Sequence, residues 1–243
     1  MTELLSGVPA PAGGRRHAVV KEVSHPTPRG VRLRLEVADR VDHLPGQHYA
    51  IRLTAPDGYV AQRSYSIASP PSDPLVEFFV ERLDDGEVST FLADVVVPGD
   101  ELEVQGPIGG WFVWRADSPA VGVAGGSGVV PFVAMLRHAG DRDRRDLLRL
   151  AVSTRTLADL PYRDELRDHG ALIALTREDD PVGGRARGRL RRDEVAGLVG
   201  DASAVDGGFV CGSAAFAEGA SMLLMDSGVP VGRIRVERFG PSG

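Results

Sequence analysis

The sequence predicts two domains in one chain: an N-terminal antiparallel β-barrel, then a C-terminal α/β domain built on a parallel sheet. Three observations carry this reading. From Arg16 to about Ile108, short stretches that alternate apolar with polar residues are separated by Pro, Gly and Asp turns, the pattern of antiparallel strands with one buried face. From Ala120 the pattern changes to apolar strands alternating with helical segments, as in a parallel sheet covered by helices. The first of those strands runs straight into Gly125-Gly126-Ser127-Gly128, a glycine turn that opens a helix. A chain of 243 residues, 42% of them hydrophobic, can bury two cores of ordinary size.

In order, residues 1–14, rich in Pro, Gly and Ala, read as a loose tail, and residues 15–116 as the barrel domain. His17–Val23 and Val31–Val37 form a hairpin around the Pro26/Pro28/Gly30 cluster. Ala50–Leu53 is the third strand, and the Asp57-Gly58 turn leads into a strand carrying Arg63-Ser64-Tyr65-Ser66. Prolines 70, 71 and 74 end it, and Leu75–Arg82 follows. A helix opens near Ser89, which either caps it or adds a hydroxyl donor to an anion at its N-terminus. Glu101–Val104 and the Gly106-Pro107-Ile108-Gly109-Gly110 run complete the barrel. Trp111, Phe112 and Trp114 read as core or domain-interface residues, and the boundary falls at Arg115–Pro119.

Residues 117–243 form the second domain. The strand Val121–Ala124 is followed by the glycine turn and a helix to about His138, with Pro131 in its first turn, where no N–H is needed. Leu148–Val152, Ala171–Leu175, Phe209–Ser213 and Arg233–Val236 are the further strands. Helices begin at Leu160 and span Ala214–Ser227. The Arg185–Arg192 run reads as a solvated loop and helix start, with an electrostatic landing site for an acidic protein as the sharper alternative.

The totals exclude several classes. A net charge of −6 argues against a general nucleic-acid or anionic-membrane binder. Cys211 is the only cysteine, so neither an internal disulfide nor a cluster held by several thiolates of this chain can form. No secretory leader or membrane span is signalled, which makes the cytoplasm the expected location. The six His residues show no close pairing, so no metal site is expected.

Chemistry concentrates at Arg63-Ser64-Tyr65-Ser66. Alternate residues of a strand share a face, about 6.6 Å apart, so Arg63 and Tyr65 suit one elongated ligand. The ring can stack on a flat heterocycle, and the guanidinium can make paired hydrogen bonds to a pyrophosphate. Arg63-Ser64-Tyr65-Ser66 resembles the R-x-Y-S flavin motif of the ferredoxin–NADP reductase superfamily, and later stretches match that family in order over roughly residues 15 to 240. The resemblance implies that Gly86, Val88, Ser89 and Thr90 contact the flavin pyrophosphate opposite Arg63, which favours FAD over FMN, with Ser66 at the ring edge. It implies that Gly125, Gly126, Ser127 and Gly128 form the nicotinamide-nucleotide loop, and that Cys211 and Gly212 lie beside the nicotinamide, Cys211 shaping the pocket without acting as a nucleophile. Glu237 and Phe239 resemble the family's terminal carboxylate and ring beside the flavin, although Phe replaces Tyr here and Gly240 to Gly243 extend beyond it.

Ser153 and Arg155 supply a hydroxyl and a cation where an NADH enzyme would place a carboxylate, and Arg177 can add to them. NADPH is therefore preferred and NADH remains possible. The implied activity is hydride transfer from NADPH to FAD, with electrons passed singly to an external acceptor, a ferredoxin or an oxygenase component. A reductase of diffusible flavin and a redox-sensing FAD/NADPH module are the other readings. The oligomeric state is not legible.

Overall fold

The computed structural model describes residues 14–239; the expected N-terminal tail, apart from Gly14, and the last four residues lie outside this range. The first half is a six-stranded antiparallel sheet: β1 (Arg15–Thr27), β2 (Gly30–Val37), β3 (His48–Thr54), β4 (Val60–Ser66), β5 (Val76–Glu81) and β6 (Glu101–Ile108), in the order β4-β3-β6-β1-β2-β5. The two edge strands approach one another, since Ile67 just after β4 bridges Phe78 of β5, so the sheet curls into a barrel. Its core holds Leu33, Leu35, Tyr49, Ile51, Ile67 and Phe78, each wholly buried. Helix α1 (Glu87–Asp94) lies over the β4/β5 seam and presses Val88 and Leu92 into that core.

β1 and β3 are longer than the alternation predicts. Pairing continues through exposed positions, and Pro26 sits where the β1–β2 register shifts, a place where a missing N–H costs no ladder bond. α1 starts at Glu87, two residues before the expected opening. Its N-cap is Gly86, with no side-chain cap, so Ser89 lies in the first turn and caps nothing.

The second half is a five-stranded parallel sheet of β7 (Ala120–Gly125), β8 (Leu148–Thr154), β9 (Leu172–Leu175), β10 (Gly207–Gly212) and β11 (Ile234–Arg238), in the order β11-β10-β7-β8-β9. The chain runs from β7 outward to β9, then returns to the other side of β7 as β10. The strand order therefore switches between β7 and β10, and an open α/β sheet binds ligands outside the carboxyl ends at such a point. Helices α2 (Val130–Asp141) and α3 (Arg163–Asp168) cover one face, α4 (Arg192–Val199) and α5 (Ala214–Asp226) the other. α3 starts at Arg163 and not at Leu160, because Tyr162 adopts the left-handed conformation with φ 58° and breaks the helical path.

One apolar cluster spans the two halves. Ala68 and Phe79 of the barrel pack with Phe112, Trp114, Val129, Met135 and Tyr162. Phe112 and Trp114 are buried as expected, but Trp111 is 65% exposed, against its expected place in core or interface. It follows Gly109 and Gly110 at the tip of the turn leaving β6, where the chain has no layer above it.

Candidate active site

The flavin-motif strand β4 is a sheet edge, and its odd residues face the barrel seam. Ala61 is buried, Tyr65 is packed on the core, and Arg63 between them opens to solvent. Among the described residues Arg63 makes one side-chain bond, to the carbonyl of its neighbour Gln62 at 2.8 Å, which leaves most of the guanidinium fork unused. Burial raises the pKa of the Tyr65 phenol and keeps it protonated. Ser66, half-buried, pairs across the sheet with His48, whose pKa burial lowers; His48 in turn pairs with Ile108 of β6.

At the start of α1 the hydroxyls are already committed. Ser89 Oγ accepts the Leu83 N–H at 3.2 Å and donates to the Gly86 carbonyl at 3.1 Å; Thr90 Oγ1 donates to the Leu83 carbonyl at 3.1 Å. The expectation that Ser89 offers its hydroxyl to an anion is therefore corrected: the hydroxyl closes the turn. The uncapped N–H groups of the first helical turn remain as donors, and an uncapped helix start beside a largely unpaired guanidinium fits a diphosphate. The residues present thus fit FAD: a protonated ring at a strand edge, a cation one pleat away, and helix-end donors across the seam.

In the second half, Gly125, Gly126, Ser127 and Gly128 turn sharply after β7. Gly126 has φ +56°, and a Cβ on Gly128 would lie 2.3 Å from the Cys211 carbonyl oxygen, so the turn presses on the end of β10. Cys211 sits in β10 directly between Ala124 of β7 and Glu237 of β11. It is buried, and its thiol is pushed far up, first by burial and then by the Glu237 charge, so it stays protonated. Glu237 is itself raised by burial to about 7. Phe239 donates its backbone N–H to Gly212 O at 3.1 Å, and its ring is 40% exposed.

Ser153 is buried at the end of β8. The Arg177 N–H donates to the Arg155 carbonyl at 2.9 Å, which places the two arginines on neighbouring strand ends, where both are exposed and, among the described residues, no side-chain bond occupies either. The Arg185–Arg192 run is otherwise arranged: Arg185 is paired with Glu194, Arg191 with Asp193 and Glu194, and Arg192 with Asp226.

Several side-chain links join the halves, and none is apparent in the sequence. Ser127 Oγ donates to Glu81 Oε2 at 2.9 Å. Counting back antiparallel from Ile67 opposite Phe78 puts Glu81 level with Ser64, so the glycine turn lies beside the flavin-motif strand. Arg137 of α2 reaches the Ala68 carbonyl at 3.2 Å and the buried Glu77 carboxylate at 3.0 Å, while holding Glu165 with two further bonds and lying over the Tyr162 ring. Ser72 Oγ donates to Asp141 Oδ2 at 2.5 Å. Among the described residues no hydrogen bond joins Tyr65 or Ser66 to Cys211 or Glu237.

No group of His, Cys, Asp and Glu among the described residues could hold a metal ion, and no described helix is long and apolar enough to cross a membrane.

Residues 18–113 match the family profile described as the oxidoreductase FAD-binding domain. Over 87% of its length the chain is 27% identical to the ferredoxin–NAD(P)(+) reductase component of the naphthalene 1,2-dioxygenase/salicylate 5-hydroxylase systems of a Ralstonia species, covering 65% of that protein. It is 29% identical, over 98% of its length, to the reductase component of propane 2-monooxygenase from Mycolicibacterium smegmatis, of which it covers 70%. The chain thus spans about two thirds of these relatives. The flavohem-like FAD/NAD binding domain of nitric oxide dioxygenase from Vibrio cholerae shares the fold, with a TM-score of 0.81 at 23% identity, over 95% of this chain and 100% of that one. A barrel that matches an oxidoreductase FAD-binding domain and a glycine turn at the strand-order switch thus make this chain similar, over most of its length, to the reductase components of oxygenase systems.

Proposed function

We propose that this protein draws reducing equivalents from NADPH onto FAD and delivers them one at a time to a separate acceptor protein, a ferredoxin or an oxygenase component. The observation that carries this reading is the Ser127–Glu81 bond, which ties the turn that would hold the nucleotide to the barrel at the level of the flavin-motif strand. FAD, when bound, supplies the conversion between two-electron and one-electron chemistry; the protein supplies alignment.

In this reading Arg63 and the α1 N–H groups hold the diphosphate, Tyr65 packs against one ring face, and Ser66 meets the ring edge. Gly125 to Gly128 let the nucleotide phosphates approach the backbone of the turn, and Arg155, Arg177 and Ser153 receive the 2′-phosphate. Gly212 and the protonated Cys211 shape a water-poor floor for the nicotinamide. Glu237, raised to about 7, holds a proton near neutrality and can release or take one at its carboxyl oxygen as charge changes beside it.

Anaerobic mixing of the FAD-loaded protein with NADPH or NADH, followed at the flavin absorbance, tests the proposal. Bleaching within seconds by NADPH, ahead of NADH, is expected. A purified protein that is colourless and does not take up added FAD overturns it. Arg155→Ala should weaken NADPH about tenfold or more, in line with the loss of one charge-assisted bond, and NADH less than twofold. Equal losses remove the 2′-phosphate assignment.

A further inference from the structure

The exposed Trp111 belongs to a patch that the reading above leaves unused. Trp111 lines an open cavity of about 280 Å³ together with Leu44, Gly110, Val113, Arg115 and Arg235. The Arg235 guanidinium lies 6.0 Å from the Trp111 ring and 5.1 Å from the Phe209 ring, and it donates to the Val113 carbonyl at 2.9 Å. Arg235 is thus locked in place with its charge uncompensated. Arg115 is exposed and unpaired, and neither arginine makes an ion pair among the described residues. Asp117 and Asp206 border an adjoining cavity that shares both arginines, without closing on either one.

Position adds to composition. Trp111 leaves the barrel at the end that carries Ser66, because His48 pairs with both Ser66 and Ile108, and Gln47 Nε2 binds the Gly109 carbonyl. Arg235 shares a strand face with Glu237, two residues further along β11. The patch therefore borders the reaction residues at the β10/β11 side. The Arg185–Arg192 run follows β9, at the opposite edge of the sheet from β11, and Arg185, Arg191 and Arg192 of it are already paired with Glu194, Asp193 and Asp226.

We propose that Trp111, Arg115 and Arg235 form the docking surface for the electron acceptor, a protein whose redox centre is rimmed by carboxylates, and that the Arg185–Arg192 run does not. This rests on the proposed function and names the partner's contact face. A locked cation and an exposed indole on a chain of net charge −6 match the anatomy of a docking site: the aromatic ring anchors, and the guanidinium groups steer an acidic partner and set its orientation. Electron transfer weakens steeply with distance, and Arg235 brings this face to within two residues of Glu237 along β11.

A plant-type [2Fe–2S] ferredoxin with an acidic surface is the probe, with ferricyanide as a small acceptor that needs no docking. Two quantities are read on the FAD-loaded protein at low ionic strength: the Kd for oxidised ferredoxin by optical titration, independent of turnover, and the KM in steady state. Arg115→Glu, at an exposed side chain that makes no side-chain bond among the described residues, should raise both about tenfold, as one reversed contact charge does. Trp111→Ser should raise both at least about threefold while leaving the salt dependence intact. Flavin bleaching by NADPH and ferricyanide turnover should stay unchanged, and Arg189→Glu in the arginine run should have no effect.

The assignment is overturned if Arg115→Glu leaves Kd and KM unchanged, if Arg189→Glu shifts them as much, or if the protein reduces ferricyanide but neither binds nor reduces the ferredoxin. A failure of NADPH to bleach the flavin would instead strike the proposed function, because the titration still reads the surface.

Discussion

Gly128 and Gly126 show how differently two glycines of one turn can matter. Gly126 has a left-handed φ but open space around it, so Gly126→Ala costs about 1 kcal/mol of backbone strain and little else. Gly128 has no room: a Cβ would meet the Cys211 carbonyl oxygen at 2.3 Å and the Gly212 nitrogen at 2.9 Å. Gly128→Ala must push the turn off β10, so we expect it to keep bound FAD, seen in the visible spectrum, while NADPH affinity falls tenfold or more by titration. At the other end of the same crevice, Glu237 should impose a pH dependence on flavin reduction with a midpoint near 7, and Glu237→Gln should flatten the profile in stopped-flow measurements. An unchanged midpoint in that variant would assign the titration to another group.

At the scale of elements, helix α2 is fixed at both ends. Its start is the glycine turn, and eleven residues after Gly126 its Arg137 grips the chain just past the flavin strand through the Ala68 carbonyl and Glu77. The guanidinium is also held by Glu165 of α3 and stacked on Tyr162, whose own pKa burial and the Glu77 charge push well up. Together with the Ser127–Glu81 bond, this residue therefore sets the spacing between the nucleotide turn and the barrel. Arg137→Met keeps the aliphatic stem on Tyr162 and removes every polar link. It also leaves Glu77 buried and unpaired by α2, so a loss of roughly 2–4 kcal/mol in chemical denaturation is expected. The bound nicotinamide should then sit off its optimum, and the rate of flavin bleaching should fall at least tenfold while the Kd for NADPH moves less than threefold, since the phosphate contacts are elsewhere.

For the whole molecule, two buried groups pull the pH dependence of stability in opposite directions. His43 hydrogen-bonds the Ser69 carbonyl through Nε2, and its pKa is lowered by burial to about 4. The unfolded chain then binds more protons between about 4 and 6.5, and stability is lost as pH falls through that window. Glu237 is raised from the usual carboxylate range to about 7, so the folded state binds the extra proton, and stability falls as pH rises from about 4.5 to 7. Each amounts to roughly 1–3 kcal/mol at full extent, so the wild-type profile is shallow near pH 5–6. His43→Gln, which keeps a donor for Ser69, should leave stability falling with rising pH; Glu237→Gln should leave it rising. Urea denaturation at pH 5 and 7 reads both slopes, and identical slopes in the two variants would refute this balance.

The amino-acid sequence by itself determined the order and kind of the elements, the change from barrel to parallel sheet at Ala120, and the motif residues, because turn chemistry, side-chain period and glycine freedom are properties of adjacent residues. Phe112 and Trp114 were legible as buried because apolar bulk near a domain boundary seldom stays in water. Trp111 was not, since the same composition cannot say which ring ends at the tip of a turn. Nor could local pattern reveal that Ser89 spends its hydroxyl on its own turn. Only the tertiary structure decided that Ser127 meets Glu81, that Arg137 meets Ala68 and Glu77, and that burial lifts Glu237 to about 7. These partners lie 46 to 69 residues apart, and desolvation depends on what the whole fold stacks around a group, so neither can be written in any short stretch of chain.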